Sequence, residues 1–419
     1  MKYYRFPENK SVKAGFFLFL LALQLLSRST MYSSTFIGAI PAQLIAVGLV
    51  CLAGVIFLIH NRKNWKPILT DRRMIAAAVF SAVILIPMLL KQDWQLMYFT
   101  VLFCMLFPVL LSYFTTLEEV GRCYVLLHLL LSLCSLVGIF VGKPLVHAGV
   151  IPGNPFDSPG GWHMYNFGLA FVCDRNNLND DALRAFGVFR EPGLYQAFLF
   201  VAIYLNNDVV RWNKPWKMWA VNAVLFVSML TTFATGGVAA LALYIVFLFF
   251  DKGLYRDKRL RLLAVIAVVA GIGLLALAMA QGGTWAYELF GMVEKVLTKN
   301  DSYTSRVDSI LMDGRLFFQS PLIGNPMEEV MYSVPNNTAT SPILFAIFGI
   351  VGGCVHVLSW VALAWRKERH WLMNIILLVI LFLTFNTQNV MPDMFFWLFP
   401  MLALTERGLM LPDKLKERG

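Results

Sequence analysis

The stretch ILFAIFGIVGGCVHVLSWVALAW, residues 343–365, runs for 23 positions without a charged side chain. Coiled as a helix it is long enough to cross a hydrocarbon layer of ~30 Å. A helix also satisfies its own backbone polar groups, which lipid cannot do. LLAVIAVVAGIGLLALAMA, residues 262–280, reads the same way. Similar runs fill the 419-residue chain, which is 58% hydrophobic and 14% charged, with a mean hydropathy of +0.65. Soluble domains carry about 25% charged residues, so ordinary cores do not account for the shortfall. The expected fold class is all-α, a polytopic transmembrane helical bundle of about 12 spans. Spans are expected near 14–33, 36–59, 74–90, 95–114, 124–142, 193–205, 218–235, 237–250, 262–280, 343–365, 372–386 and 394–405.

The net charge of +10 does not point to nucleic acid, because no basic patch with interleaved aromatics occurs. Most of the 35 Lys and Arg instead fall in alternate short loops, such as 61–73, 251–261 and 366–371. Positive residues mark the cytoplasmic side. With twelve spans this puts both termini in the cytoplasm and predicts a multi-pass protein of the bacterial cytoplasmic (inner) membrane. Lys2, Arg5, Lys10 and Lys13 before an apolar run resemble a signal peptide, but Ser27-Arg28-Ser29-Thr30 follows in place of a small-x-small cleavage site. The run is read as a retained first helix. The whole chain, 1–419, is read as one integral membrane domain.

Two connections break the pattern of short loops, 143–192 and 281–342. Both are expected to be extracytoplasmic and to contain short helices, and long loops of this kind are usually functional. The first is turn-rich, with Pro144, Pro152, Pro155, Pro159 and Gly160-Gly161. In the second, Val307, Ile310, Leu311, Gly314, Phe317 and Phe318 recur at helical spacing, with Arg306, Ser309 and Asp313 on another face. That is an amphipathic helix over about 303–319, ended by Ser320-Pro321.

Three constellations offer chemistry. Phe189-Arg190-Glu191-Pro192-Gly193 opens the sixth span. Arg190 presents a planar donor fork suited to phosphate, and Glu191 either accepts a proton or orients Arg190. The pair equally suits an ion pair anchoring a helix end. Ser305-Arg306-Val307-Asp308, with Arg315 further along, supplies cations from the other long loop, or merely a solvated face. The stretch Gly324-Asn325-Pro326 to Asn336-Asn337-Thr338 offers uncharged groups for sugar hydroxyls, or a turn-rich connection. His163, beside Trp162, is a possible sugar contact or a packing residue. His128 and His356 lie within spans, where a titratable group is a functional candidate by default and a neutral core residue otherwise.

Several classes have no support. No Walker A sequence, G-x-S-x-G elbow or D-x-D pair occurs. The histidines lack metal-ligand spacing. Of six cysteines, Cys51, Cys104, Cys134 and Cys354 sit inside apolar runs, Cys123 at the edge of one, and Cys173 alone in a long loop. These read as small apolar core residues, and no metal or cofactor is expected.

Four features together resemble the O-antigen ligase and O-antigen polymerase superfamily over about residues 185–365. They are the span layout, Arg190-Glu191-Pro192-Gly193, the turn Thr231-Thr232-Phe233-Ala234-Thr235-Gly236-Gly237, and Ser305-Arg306 followed by Phe317-Phe318-Gln319-Ser320-Pro321-Leu322-Ile323-Gly324. An Asn-containing stretch and a helix with Gly349, Gly352 and Gly353 follow. Ligase members carry His before the Asn, where this chain has Pro335-Asn336-Asn337, and often Arg in the Ser/Thr–Gly turn, where it has Ala234-Thr235-Gly236. Both departures favour a polymerase-like member and leave the catalytic base unassigned.

The resemblance implies a glycosyltransferase acting on undecaprenyl-diphosphate-linked glycans at the outer membrane face, in surface polysaccharide (O-antigen, capsule or exopolysaccharide) biosynthesis. The expected partners are a polyprenyl-diphosphate-linked glycan, the bilayer and other polysaccharide-assembly proteins. Arg190, Glu191 and Arg306 are the expected catalytic residues, without a metal. Asp308, Arg315, Asn336, Asn337 and His163 are the expected substrate contacts. Two other classes stay open: a secondary transporter or flippase, and a non-catalytic scaffold of a glycan-assembly complex.

Overall fold

The computed structural model describes residues 10–60, 72–158, 161–176, 184–259, 301–333, 337–386 and 388–407, with scattered positions between 261 and 276. Fourteen α-helices are described within these residues. They are α1 Lys10–Leu25, α2 Ala39–His60, α3 Arg72–Lys91, α4 Leu96–Leu111, α5 Leu117–Val137, α6 Lys143–His147, α7 Pro192–Asp208, α8 Pro215–Leu230, α9 Thr235–Asp251, α10 Asp301–Gln319, α11 Met327–Ser333, α12 Thr340–Ala364, α13 Trp371–Phe385 and α14 Met394–Arg407. Short π-helical segments occupy Tyr32–Ile37 and Gly138–Gly142.

Among the described residues, four helices are long and apolar enough to cross a membrane: Ala39–Ile56, Arg73–Lys91, Leu117–His147 and Thr340–Ala364. Their outward surfaces are apolar, as at Ile40, Leu44, Leu52 and Ile59 of α2 and Ile75, Ile86 and Leu90 of α3. An apolar exterior of this kind is stable against lipid and not against water. The chain is a multi-pass membrane protein. Four helices of crossing length, where the sequence reading expects about twelve, is a difference. Other apolar runs form shorter helices; Pro192 and Pro215 open α7 and α8, and the 231–234 turn separates α8 from α9. The expected span 262–280 lies almost wholly outside the described residues.

Local chemistry sets the helix boundaries. Thr116 and Glu119 form a reciprocal capping box at the start of α5. Pro192 and Pro215 stand at the first turns of α7 and α8, where a missing N–H is no loss. α7 is the central post. Nearly every residue from Leu194 to Leu205 is buried, and α5, α8 and α9 surround it. α14 packs between α4 and α12.

The first long loop corrects the all-α expectation. It carries an antiparallel sheet in the order β1 Pro155–Asp157, β2 Trp162–Asn166, β3 Phe171–Asn176, β4 Ala185–Gly187. Pro155 pairs with Tyr165 and Val172 with Ala185, and the register slips at His163/Met164. Met164, Phe171, Cys173 and Phe186 form a small core on Met31. Tyr32, in the segment after α1, donates its hydroxyl to Gly168 O at 2.6 Å. The sheet is thus seated on the chain that leaves α1.

Contacts sort the connecting segments into two ends. The turn after α1, the 92–95 loop, the sheet, the 231–234 turn, α10, α11 and the 386–393 loop share one end. It is joined by Arg28 Nη1 to Met97 Sδ (3.3 Å), Ala185 N to Thr231 O (2.8 Å) and Met327 N to Asp93 Oδ2 (2.6 Å). The opposite end is joined by Leu117 N to Glu406 Oε1 (2.8 Å) and Arg122 Nη2 to Arg211 O (2.8 Å). There Arg369 bridges buried Asp208 at 2.7 Å and Asp251 at 2.8 Å, tying α7 to α9 and α13.

Candidate functional site

Arg190 and Glu191 link β4 to the central post. Phe189 is buried, its ring stacked on Phe198 (5.0 Å) and Tyr195 (5.4 Å). Glu191 is the N-cap residue of α7, yet its side chain makes no capping bond. Gly193 is packed against a neighbour: a Cβ there would press on the end of the Gln388 side chain. Gly237, in the Ser/Thr–Gly turn, is pressed in the same way onto Gln196 of α7. The turn and the Arg190–Gly193 motif therefore share one packing unit.

The charges gather around Glu191. Arg190 Nε lies 3.9 Å from Glu191 Oε1, with the two side chains 40% and 49% exposed. Arg190 Nε itself is buried and makes no hydrogen bond among the described residues. Arg306, half-buried on α10, also feels Glu191. Burial lowers its pKa, and the Glu191 carboxylate opposes that shift. Arg190 is thus ion-paired with Glu191, and Arg306, from a separate loop, lies within reach of the same carboxylate's field. An arginine so lowered still carries its charge at neutral pH.

Two further groups join them that sequence reasoning missed. Arg28 has its pKa lowered by burial and then by the charge of Arg190. Asp393, buried just before α14, has its pKa raised by burial, against the pull of Ser27, Ser29, the Phe395 N–H and Arg190. The sequence reading places Arg28 inside a span at 14–33. The helix ends at Leu25, and Ser27 to Thr30 form a turn. An arginine within an otherwise apolar run was the available signal.

α10 is held by a polar latch. Ser309, Asp313 and Leu316 are buried, whereas Val307, Ile310, Leu311 and Phe318 of the apolar stripe are exposed, Phe318 to 78%. The helix therefore buries part of its polar face and leaves an apolar strip exposed beside Asp308 and Arg315, an arrangement suited to a lipid interface. Asn337 Nδ2 donates to both Asp313 oxygens at 2.8 Å. Burial raises Asp313 to about 6, with the Asn337 bonds pulling it down. Below α10, Asn325 Nδ2 donates to Leu316 O (2.6 Å) and its N–H to Ala346 O (2.8 Å). Lys91 Nζ takes Ile347 O (2.7 Å) and Asn325 O (2.9 Å). These donors satisfy carbonyls freed where Gly349, at φ +63°, breaks α12.

Among the described residues, none of the other expected contacts makes a hydrogen bond or ion pair to Arg190 or Arg306. Asp308 and Arg315 are exposed on α10. Asn337 is the latch of Asp313. His163 sits on β2 with Nδ1 2.7 Å from Asp157 Oδ1, so the sheet supplies its partner. Asn336 lies outside the described residues. His128 and His356 are fully buried among aromatic rings, His128 4.3 Å from Tyr124 and His356 5.4 Å from Phe396.

Among the described residues, no group of three His, Cys, Asp or Glu is placed to hold a metal. Comparison with protein-family models, with curated proteins and with solved structures gives no match.

Proposed function

We propose that the chain is a membrane glycosyltransferase, a polymerase-like relative of the O-antigen ligase and polymerase superfamily. It polymerises or ligates undecaprenyl-diphosphate-linked oligosaccharides at the outer face of the cytoplasmic membrane. On this reading the shorter apolar helices cross alongside the four long ones to make about twelve spans. The sheet and α10 stand outside, and both termini lie in the cytoplasm. The observation that supports the reading is Arg190 paired with Glu191 at 3.9 Å, with Arg306 of the other long loop within the field of that carboxylate.

In the reaction a hydroxyl oxygen of the acceptor glycan attacks the anomeric carbon of the donor. The bond from that carbon to the diphosphate oxygen breaks, and its electron pair leaves with the diphosphate. The hydroxyl proton passes to a base, for which Glu191, paired with Arg190 and felt by Arg306, is the candidate. Arg190 and Arg306 hold the diphosphate and stabilise the charge it gains. Fixed positive charge of this kind lowers a barrier most where water is excluded. The outward apolar face of α10 lets the helix rest on the membrane surface beside the lipid carrier.

Transport is the second reading, favoured by the break in α12, since discontinuous helices form many transporter sites. The freed carbonyls of Ala346 and Ile347 already have donors in Asn325 and Lys91, which weighs against an ion site there. The test is reconstitution in liposomes with an undecaprenyl-diphosphate oligosaccharide. Longer or transferred glycan with stoichiometric release of undecaprenyl diphosphate is expected. Glycan moved across the bilayer without release of the diphosphate would overturn the proposal.

A further inference from the structure

The turn after α1 brings another guanidinium to the same place. Arg190 N donates to Ser29 O (3.1 Å), Met31 N donates to Val188 O (2.9 Å), and Thr30 pairs with Phe189 in an antiparallel bridge. Two short extended segments therefore lie side by side, with Arg28 beside the segment that carries Arg190. The turn is pinned from its other flank. The Ser27 hydroxyl donates to Asp393, whose second oxygen accepts Phe395 N at 2.9 Å. Ser29 N returns to Ser27 Oγ (3.2 Å), and Thr30 Oγ1 caps Leu25 O (2.7 Å). Arg28 is thus placed by a built loop and not by a free side chain.

Its own partners are meagre. Among the described residues, its hydrogen-bond acceptor is Met97 Sδ at 3.3 Å. A thioether is a weak acceptor for a group with five N–H donors. Arg190 Nε is likewise without a hydrogen bond. Glu191 and Asp393 act on Arg190, but among the described residues no carboxylate pairs with Arg28, whose repulsion by Arg190 an added anion would offset.

We propose that Arg28 is a third cation of the anion site, donating together with Arg190 to a diphosphate. The inference rests on the functional reading above and deepens it. The shared chemistry is a diphosphate, and a lipid-borne one is favoured by what adjoins Arg28. Met97 belongs to the first turn of α4. Leu96, Phe99 and Phe103 of that helix, with Gln43, Leu44 and Val47 of α2, line an apolar groove of about 270 Å³. A prenyl chain has a slot there close to its head group.

The test is equilibrium binding to the purified full-length protein in detergent. The probes are undecaprenyl diphosphate and inorganic pyrophosphate. The variants are Arg28→Ala, Arg28→Lys, Arg190→Ala and, as a control, Arg256→Ala. Arg28→Ala is expected to weaken undecaprenyl diphosphate at least tenfold, Arg28→Lys several-fold less, and Arg256→Ala not at all. Pyrophosphate is expected to bind more weakly with the same order of variants. Wild-type affinity in Arg28→Ala alongside a loss in Arg190→Ala would overturn the third cation and leave the functional reading standing. Equal affinity for both probes would overturn the lipid assignment. No binding of either probe by the wild type would sink the functional reading itself. Should Arg28→Ala fail to fold, Arg28→Lys and Arg28→Gln decide: equal affinity in the two would overturn the proposal.

Discussion

Raising the pH loosens the helix that carries Arg306. Asp313 is buried on α10, and burial lifts its carboxyl from 3.8 to about 6. The folded state therefore prefers the protonated form. Below pH 3.8 both folded and unfolded chains hold the proton and this group costs nothing. Between 3.8 and 6 the unfolded chain ionises first, so the penalty grows. Above pH 6 it is complete, at roughly 3 kcal/mol. Asp313→Asn removes the titration. Above pH 6.5 it gains back roughly that ~3 kcal/mol, in which the Asn337 bonds are already included. At pH 4.5 it gains nothing. The assay is hydrogen exchange of α10 amides in detergent at pH 5 and 7.5, corrected for intrinsic exchange. Wild-type protection is expected to fall about tenfold or more relative to Asp313→Asn at the higher pH. The same pH dependence in both proteins would refute the reasoning.

Other expectations concern packing. Arg369→Ala leaves Asp208 buried with its main partner gone, and a loss of about 3–5 kcal/mol in stability is expected by thermal unfolding. Arg366→Ala, whose contact with Asp208 is 3.6 Å and more exposed, is expected to cost ~1 kcal/mol or less. Gly349→Ala drives a Cβ into the Leu322 carbonyl at a positive φ, so ~2–4 kcal/mol should be lost and α10 protection with it, read by the same exchange experiment. Gly193→Ala presses on the end of the Gln388 side chain, and a lower turnover is expected where that side chain cannot swing aside. Gln388→Ala in the same chain makes room, and recovery of at least part of the rate is expected; no recovery would remove Gln388 as the reason for this glycine.

The helices were largely legible because hydropathy in a membrane protein reports segment position directly. Runs at 74–90, 343–365 and 372–386 match α3, α12 and α13 within a few residues. The sheet was not legible. Its strands are three to six residues long, separated by Pro and Gly, and slipped in register at His163, so no clean alternation survives. The direction α10 faces was hidden for another reason. Periodicity shows that Val307, Ile310 and Phe318 share a face, but beside a bilayer the apolar face can point outward. Arg190 and Arg306 were readable as types suited to phosphate, and Glu191 as a base or as the orienter of Arg190. Arg28 and Asp393 were not, because their places depend on hydrogen bonds between a turn near residue 28 and a loop near 393. Asn337 was read as a sugar contact since nothing in the sequence pairs it with Asp313.

The central claim is that Arg190 and Arg306 serve one diphosphate. A double-mutant cycle on turnover of an undecaprenyl-diphosphate oligosaccharide tests it most directly, using Arg190→Ala, Arg306→Ala and the double variant, each with a wild-type melting temperature. One shared diphosphate predicts that each single change costs ~10²–10³ in kcat and that the double variant is scarcely slower than either. Losses that simply multiply, or a single variant that turns over normally, would contradict the account.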